Sequence, residues 1–369
     1  MDADELGAWL RLLLVPGVGR QTARQLLQAL GSPQAVVTAD AERLRPLVGD
    51  KLAAALRQEP ADWARARDSV LAWLHGGEQR RVITLGDADY PAALLESPDP
   101  PLLIYVQGDA RHLSARAVAV VGSRRPTAQG RDNAHAFGQA LGAAGYVVVS
   151  GMAQGIDGAA HEGALAAGAP TVAVIGTGPD RVYPPQHLEL ARRIAAQGAI
   201  VSEYLPGTPP LAENFPPRNR LIAGLTLGTV VIEAALRSGS LITARLANEA
   251  GREVFAVPGS IHAAQSRGCH ALIRDGAHLV ESAAEVLAEL GPPALVGLTG
   301  FAKPVGEAPP PPREDPLLEA LGHDPISLDG LQARSGWPTA ELLARLLELE
   351  LDGQVARLPG GLFQRRARA

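Results

Sequence analysis

The chain has a single cysteine, Cys269, which excludes an intramolecular disulfide and any zinc cluster built from several thiolates. It has only two lysines, Lys51 and Lys303, so its cationic chemistry is almost entirely that of arginine. An arginine fork grips phosphate bidentately and stacks on rings, which lysine does not do. Aromatic residues make up 4% of the sequence against 46% hydrophobic residues in total, so the core has to be built from Ala, Val, Leu and Ile. No uninterrupted apolar run is long enough to span a bilayer. The opening MDADELGAWLRLLL lacks the basic segment of a secretion signal. A cytoplasmic protein with no membrane partner is expected. The formal net charge is −5, so any grip on nucleic acid has to come from a local concentration of positive charge.

Several reaction classes lack their residues. No Gly-x-Gly-x-x-Gly occurs, which disfavours dinucleotide binding. Asp50 and Ala302 precede the two lysines, so there is no Gly-Lys-Ser/Thr loop for ATP hydrolysis. Gly49 and Phe301 stand two places before them, which removes the Asp/Glu-x-Lys pattern of many nucleases. His161-Glu162 lacks a second histidine at zincin spacing, and the nine histidines form no ligand cluster. A binding protein without catalytic residues, metal or cofactor is therefore expected, rather than an enzyme.

What is present divides the 369 residues into several parts. Residues 1–75 read as helical, with Leu10, Leu13, Leu14 and then Leu26, Leu27, Leu30 at helical spacing around the turn Pro16-Gly17-Val18-Gly19. Residues 76–114 read as a connecting layer punctuated by Tyr90-Pro91 and Pro98 to Pro101. Over 115–290, β-branched runs alternate with Ala-rich amphipathic stretches. The runs are 118–121, 146–149, 171–175, 199–201, 229–232 and 253–257. This alternation predicts an α/β domain with a parallel sheet covered on both faces by helices. Residues 291–314 are a Pro- and Gly-rich linker, and 315–369 hold three helices and a basic hairpin, which suggests a winged helix.

Ligands of an open parallel sheet sit beyond the carboxyl ends of its strands. Four such ends lead into small-residue turns: Gly122-Ser123-Arg124-Arg125-Pro126, Ser150-Gly151 through Gly155-Ile156-Asp157, Gly176-Thr177-Gly178, and Ser238-Gly239-Ser240-Leu241 opening a helix. Turns of this kind let backbone amides and a helix dipole meet an anion. Any one of them is explained by the needs of a tight corner. Four on one edge, with Arg124 beside them, predict an anion site. The segment Phe215-Pro216-Pro217-Arg218-Asn219-Arg220 adds two arginines that cannot share a helical face. One is expected to face the ligand edge and the other to pair with an acid such as Glu233; ordinary surface arginines at a helix start are the competing reading. Tyr183 and Phe215 are the candidates for stacking bases, with a core plug beneath the loop as the alternative for Phe215.

Taken in order and spacing, Val121-Gly-Ser-Arg124, Ser150-Gly-Met-Ala-Gln-Gly-Ile-Asp157, His161, Tyr183-Pro184, Ser202-Glu203, Phe215-Pro-Pro-Arg-Asn-Arg220, Ser238-Gly-Ser-Leu241-Ile242-Thr243 and Val257-Pro258-Gly259 resemble the DNA-processing protein A (DprA/Smf) family over about residues 80–290. The resemblance implies an extended Rossmann-like, doubly wound, mostly parallel sheet that binds single-stranded DNA, forms a homodimer and loads the RecA recombinase during natural transformation. It carries the DNA pocket onto Gly122, Ser123, Arg124, Asn219 and Arg220. Gly151, Gly155, Arg181, Phe215, Arg218, Gly239 and Ser240 complete the expected DNA-binding set. One departure stands out. Tyr183-Pro184 is followed by Pro185-Gln186, where the family often has a cation; either Arg181 substitutes or the affinity is lower.

The flanking parts match the family in type only. Leu13 to Ala23 resembles a helix–hairpin–helix, in which Arg20 and Arg24 would support a phosphate contact. The acids Asp2, Asp4 and Glu5 favour a plain helical hairpin instead. In the C-terminal part, residues 339–351 carry Glu341, Glu348 and Glu350 against Arg345 alone, so a protein contact is expected rather than groove reading. Leu342, Leu343, Leu346, Leu347 and Leu349 are assigned to its core. The tail arginines Arg365, Arg366 and Arg368 are left for backbone contacts. The rival to a DNA-binding role is a nucleotide-binding or phosphoribohydrolase-like enzyme on a similar fold, whose Pro-Gly-Gly-x-Gly-Thr turn is replaced here by Arg237-Ser238-Gly239-Ser240.

Overall fold

A computed structural model describes residues 2–291, 315–322 and 324–366. Most of the expected linker, 292–314, and the end of the tail with Arg368 lie outside the described residues.

Five helices come first: α1 (Ala3–Leu14), α2 (Arg20–Leu30), α3 (Pro33–Thr38), α4 (Ala41–Leu56) and α5 (Trp63–His75). Side chains of Asp2, Ser32 and Asp40 accept hydrogen bonds from the first-turn amides of α1, α3 and α4, which is why each helix begins where it does. Their core (Leu6, Leu10, Leu26, Leu44, Leu56, Val70) continues without a break into Leu102, Leu103 and Tyr105. Trp73 meets Tyr105 edge-on at 5.7 Å.

The middle of the chain runs β1 (Arg80–Thr84), α6 (Ala92–Leu95), β2 (Leu103–Gly108), β3 (Ala117–Val121), α7 (Ala128–Ala143), β4 (Val147–Ser150), α8 (Ile156–Ala166), β5 (Thr171–Ile175), α9 (Leu188–Gln197), β6 (Ala199–Ser202), α10 (Phe215–Gly224), β7 (Gly228–Val231), α11 (Ser240–Glu249), β8 (Glu253–Ala256), α12 (Arg267–Arg274), β9 (His278–Leu279) and α13 (Ala283–Leu290). Among the described residues these strands form one sheet in the order β1-β2-β6-β5-β4-β3-β7-β8-β9. All pairs from β6 to β9 are parallel, whereas β1–β2 and β2–β6 are antiparallel. The segment read as a connecting layer thus extends the sheet by two strands.

Alternation along β3 shows how both faces are covered. Ala117, Ala119 and Val121 join one core, and Val118 and Val120 join the other. Small residues in α7 and α8 let these helices pack closely: a Cβ on Gly138 would lie 2.3 Å from the Ala160 carbonyl oxygen. From β3 the chain winds through β4 and β5 to β6 on one side, then returns to β7 on the other side of β3. The strand order therefore reverses between β3 and β7, and a crevice opens beyond their carboxyl ends.

The last unit holds α14 (Pro316–Leu321), β10 (Ile326–Ser327), α15 (Leu328–Ser335), α16 (Thr339–Leu351), β11 (Val355–Leu358) and β12 (Leu362–Arg365), with sheet order β10-β12-β11. This is a winged helix with a core of its own, including Leu317, Leu321, Leu331, Leu346 and Phe363. It touches the large domain where Arg366 meets Asp132 of α7 through two hydrogen bonds of 2.6 and 2.7 Å. Arg366 is thus engaged by a carboxylate rather than offered to a DNA backbone. Leu343 and Leu347 are not in the core but exposed. No described helix is long and apolar enough to cross a membrane.

Candidate nucleic-acid interface

At the β3/β7 crevice lies a cleft of about 560 Å³, walled on one side by Gly122 to Arg125 and on the other by Arg237 to Ser240. Phe215, Arg218 and Asn219 from α10 close its floor and end. A second cleft of about 330 Å³ adjoins it, sharing Arg124, Ala153, Phe215 and Arg218 and adding Gly151, Tyr183 and Pro184 to Gln186. Three of the four glycine-rich turns noted in the sequence therefore meet along one sheet edge.

The glycines do different work there. Gly155 has φ +86°, and a Cβ on it would lie 2.4 Å from the Ser123 carbonyl oxygen. A Cβ on Gly122 would lie 2.8 Å from the carbonyl oxygen of Glu233, and one on Gly151 would lie 2.5 Å from Arg218 Nη1. The Ser123 amide donates to Glu233 O at 2.7 Å, and the Ile156 amide to Ser123 O at 3.2 Å. Gly122, Gly151 and Gly155 thus allow turns to lock against one another, and the Ser123 amide is already engaged.

Internal carboxylates fill two of the helix N-termini at this edge. Glu233 accepts from the Thr127 amide at 3.0 Å and from its hydroxyl at 2.5 Å, at the start of α7. Burial pushes the Glu233 carboxyl up, against these hydrogen bonds. Asp157 accepts from the Ala153 amide at 3.3 Å, at the start of α8. Burial likewise pushes its carboxyl up, opposed by the nearby Arg218 guanidinium. The start of α11 is different. A Cβ on Gly239 would meet nothing within 4 Å, and its amide has no partner among the described residues. Asn219 braces this corner by donating to the Gly239 carbonyl at 3.3 Å. The Ser240 amide donates to Ser238 Oγ at 3.3 Å and the Leu241 amide to the Ser238 carbonyl at 3.2 Å. An anion thus has the Gly239 amide and the positive end of α11 to approach, with no carboxylate in place, bordered by Arg237 and Ser240.

Arginine placement corrects the sequence reading in two respects. Arg218 is buried beneath the cleft, where Nη1 donates to the carbonyls of Gly151 (2.8 Å) and Val174. It ties the ends of β4 and β5 together, and burial pulls its pKa down to about 10. Arg220 turns away from both clefts. Its Nη2 holds both oxygens of Glu203 at 2.5 Å, and its Nε lies 3.2 Å from Asp99. Glu233 pairs with neither arginine, because it is taken up by Thr127. Arg20 and Arg24 of the helix–hairpin–helix also bind Asp99, at 2.7 and 2.9 Å. These three arginines and two carboxylates join the N-terminal helices to the sheet domain, so Arg20 and Arg24 are engaged inside the molecule. Burial works against ionising Asp99, yet its hydrogen bonds to Arg20 and Arg24 hold its carboxyl below the usual range. Arg181 lies outside both clefts, 3.9 Å from Asp180.

The remaining cations define the site. Arg124, Arg125 and Arg237 line the cleft, are exposed, and have no ion-pair partner among the described residues. The sequence reading left Arg125 and Arg237 out of the expected DNA-binding set, although Arg125 lies within a turn it singled out and Arg237 directly precedes another. Arg124 lies 5.7 Å over the Phe215 ring, and the Tyr183 ring packs against Phe215 at 5.7 Å, tilted by 44°. Tyr183 is 43% exposed, while Phe215 is half-buried and lines both clefts with Arg124, Arg218 and Tyr183 packed around its ring. Guanidinium and aromatic rings are therefore neighbours where the two clefts meet. Asp157 is the only carboxylate among the residues lining either cleft.

Comparison with known proteins identifies the family. Residues 81–291 match the family model described as DNA recombination-mediator protein A. Residues 301–361 match the DprA winged helix domain, and 10–60 a SAM-like helix-hairpin-helix tandem. Protein Smf of Escherichia coli is 40% identical over 307 residues, covering 81% of each chain. The X-ray structure of DNA processing protein A from Streptococcus pneumoniae is 37% identical, with a TM-score of 0.67, covering 78% of this chain and 98% of that one. A structure of the Helicobacter pylori protein, described for its single-stranded DNA binding mode, is 31% identical with a TM-score of 0.52, covering 57% of this chain and 95% of that one. With its central domain, both flanking units and most of its length matched, this chain belongs to the DprA/Smf family of DNA processing proteins.

Proposed function

We propose that this protein binds single-stranded DNA without cleaving it and presents it to a recombinase. The observation that carries the reading is the set of three arginines without an ion-pair partner, Arg124, Arg125 and Arg237, around the carboxylate-free start of α11. A chain of net charge −5 that leaves three guanidiniums unneutralised in one crevice favours a polyanion there. The phosphate sits at the Gly239–Ser240 corner, held by Arg237 and Arg124. Tyr183 and Phe215 take the bases of the strand through their faces, each stack contributing about 1–3 kcal/mol with little regard to sequence.

A duplex offers no unstacked bases to such rings, so the single strand is the better fit. The cleft supplies one carboxylate, Asp157, and that group faces the buried Arg218 and the Ala153 amide rather than a substrate. A second group for acid–base work does not stand beside it, which supports binding over hydrolysis. Delivery of the strand to RecA in transformation, as a homodimer in the cytoplasm, is the further role that membership of a recombination-mediator family supports.

Titrating a labelled oligothymidine with the protein over a range of salt, alongside an assay for nucleotide and phosphoribose hydrolysis, tests this. Sequence-tolerant binding that weakens steeply with salt, with no turnover, is expected. Turnover without strand binding would make it an enzyme, and neither would make it a protein scaffold.

A further inference from the structure

In a winged helix the third helix is the one placed to enter a DNA groove. Here that helix, α16, presents something else. Leu342, Leu346 and Leu349 face the core of the unit, while Leu343, Leu347 and Leu351 are 46%, 57% and 80% exposed. At 100° per residue these three, with the exposed Ala340 and Ala344, form one continuous apolar stripe along the outer face. Glu350 borders it on one side, and Glu341 and Glu348 on the other.

The cation in α16 does not offset these acids. Arg345 Nη2 meets Asp315 at 2.5 Å and Nη1 meets Glu348 at 2.5 Å. Glu341, Glu350 and the C-cap residue Asp352 have no cationic partner among the described residues. The unit docks on the large domain through β12 and Arg366, which leaves this face uncovered by the rest of the described chain.

We propose that the outer face of α16 is a protein-docking surface, and that its occupant is an amphipathic helix of another polypeptide with an apolar stripe flanked by Lys and Arg. The spacing of the leucines suits a helix laid alongside, ridge to groove. The charges choose among occupants. Phosphates of a duplex are repelled by the acidic flanks. A second copy of this chain would bring glutamates against glutamates in either orientation. A helix with basic flanks meets an apolar seam and opposite charge at once. This proposal does not depend on the reading of the sheet-edge clefts.

The test uses the full chain and two synthetic helical peptides with the same leucine spacing, one with lysine on both flanks and one with glutamate. Anisotropy of the labelled lysine peptide is expected to report saturable, salt-sensitive binding, and the glutamate peptide none. Leu347→Asp and Leu351→Ser are expected to weaken binding about tenfold or more, with the unfolding midpoint and oligothymidine affinity unchanged. Glu341→Lys with Glu350→Lys should reverse the preference between the peptides. The proposal is overturned if neither peptide binds or if the leucine substitutions leave binding intact. It is equally overturned if Leu347→Asp instead abolishes self-association of the chain or its retention of duplex DNA.

Discussion

Arg220 Nη2 stands 2.5 Å from both carboxylate oxygens of Glu203, with the two side chains only 12% and 15% exposed. A residue from the family's DNA-associated Arg-Asn-Arg segment is here part of a domain joint that also takes in Asp99, Arg20 and Arg24. Replacing Arg220 by alanine leaves two carboxylates partly buried with fewer cations. A loss of about 2–3 kcal/mol in urea unfolding is expected. The folded variant should bind oligothymidine with the salt slope of the parent, whereas a shallower slope would return Arg220 to the DNA site.

Gly155 is the point where the two turns of the site lock together. With φ at +86° and the Ser123 carbonyl oxygen 2.4 Å from a built Cβ, alanine there strains the backbone and pushes the Gly-Ser-Arg turn outward. Gly155→Ala is expected to cost more than about 1 kcal/mol of stability and to weaken strand binding through displacement of Arg124. Gly239→Ala, where a Cβ meets nothing, is the control and should change stability by less than about 0.5 kcal/mol.

His161 lies fully buried against β5. Thr171 Oγ1 donates to the Val148 carbonyl at 2.6 Å, so it accepts the proton of His161 Nδ1 at 2.7 Å, and Nε2 is left bare and without a partner among the described residues. Burial pulls the His161 pKa down to about 3, from an unfolded value of about 6.5. A base whose folded pKa is depressed is neutral in the fold and charges on unfolding. Its contribution is therefore present above pH 6.5 and is lost as pH falls toward the folded value. Between pH 7.5 and 5 this amounts to about 2 kcal/mol. Stability curves over that range should show the loss, and His161→Asn, whose amide can donate to Thr171, should flatten it. An unchanged pH dependence in that variant would place the titration elsewhere.

The sheet was legible because buried parallel strands are near-continuous β-branched runs, as at 171–175, where expected and observed limits coincide at Thr171–Ile175. The strands β1 and β2 were hidden by Pro98 to Pro101, which marks a turn without revealing that the segments on either side pair. Glycine-rich corners located the site but not their roles. Whether a turn amide faces a ligand or another turn depends on contacts such as Ser123–Glu233, remote in sequence. The same holds for the arginines. Arg218 and Arg220 are equivalent on paper, and only the positions of Val174, Glu203 and Asp99 show that both are internal. On α16, Leu343 and Leu347 obey helical spacing as well as core leucines do, so their exposure required the packed unit.

The winged helix has its own core and meets the sheet domain at Arg366 and Asp132, neither of which lines the arginine cleft. A chain ending before residue 315 is expected to bind oligothymidine within about threefold of the full protein, a difference of less than about 1 kcal/mol. A much larger loss would move the strand site onto the C-terminal unit.

The most direct measurement is the salt dependence of oligothymidine affinity for Arg124→Ala and Arg237→Ala. Both side chains are exposed in the cleft without an ion-pair partner, so their unfolding midpoints should match the parent. Each variant is expected to bind about tenfold or more weakly, as for a lost charged contact of about 1.5–3 kcal/mol, with the slope against log salt shallower by about 0.7. Folded variants that keep the parent's affinity and slope would contradict a strand held at the α11 corner.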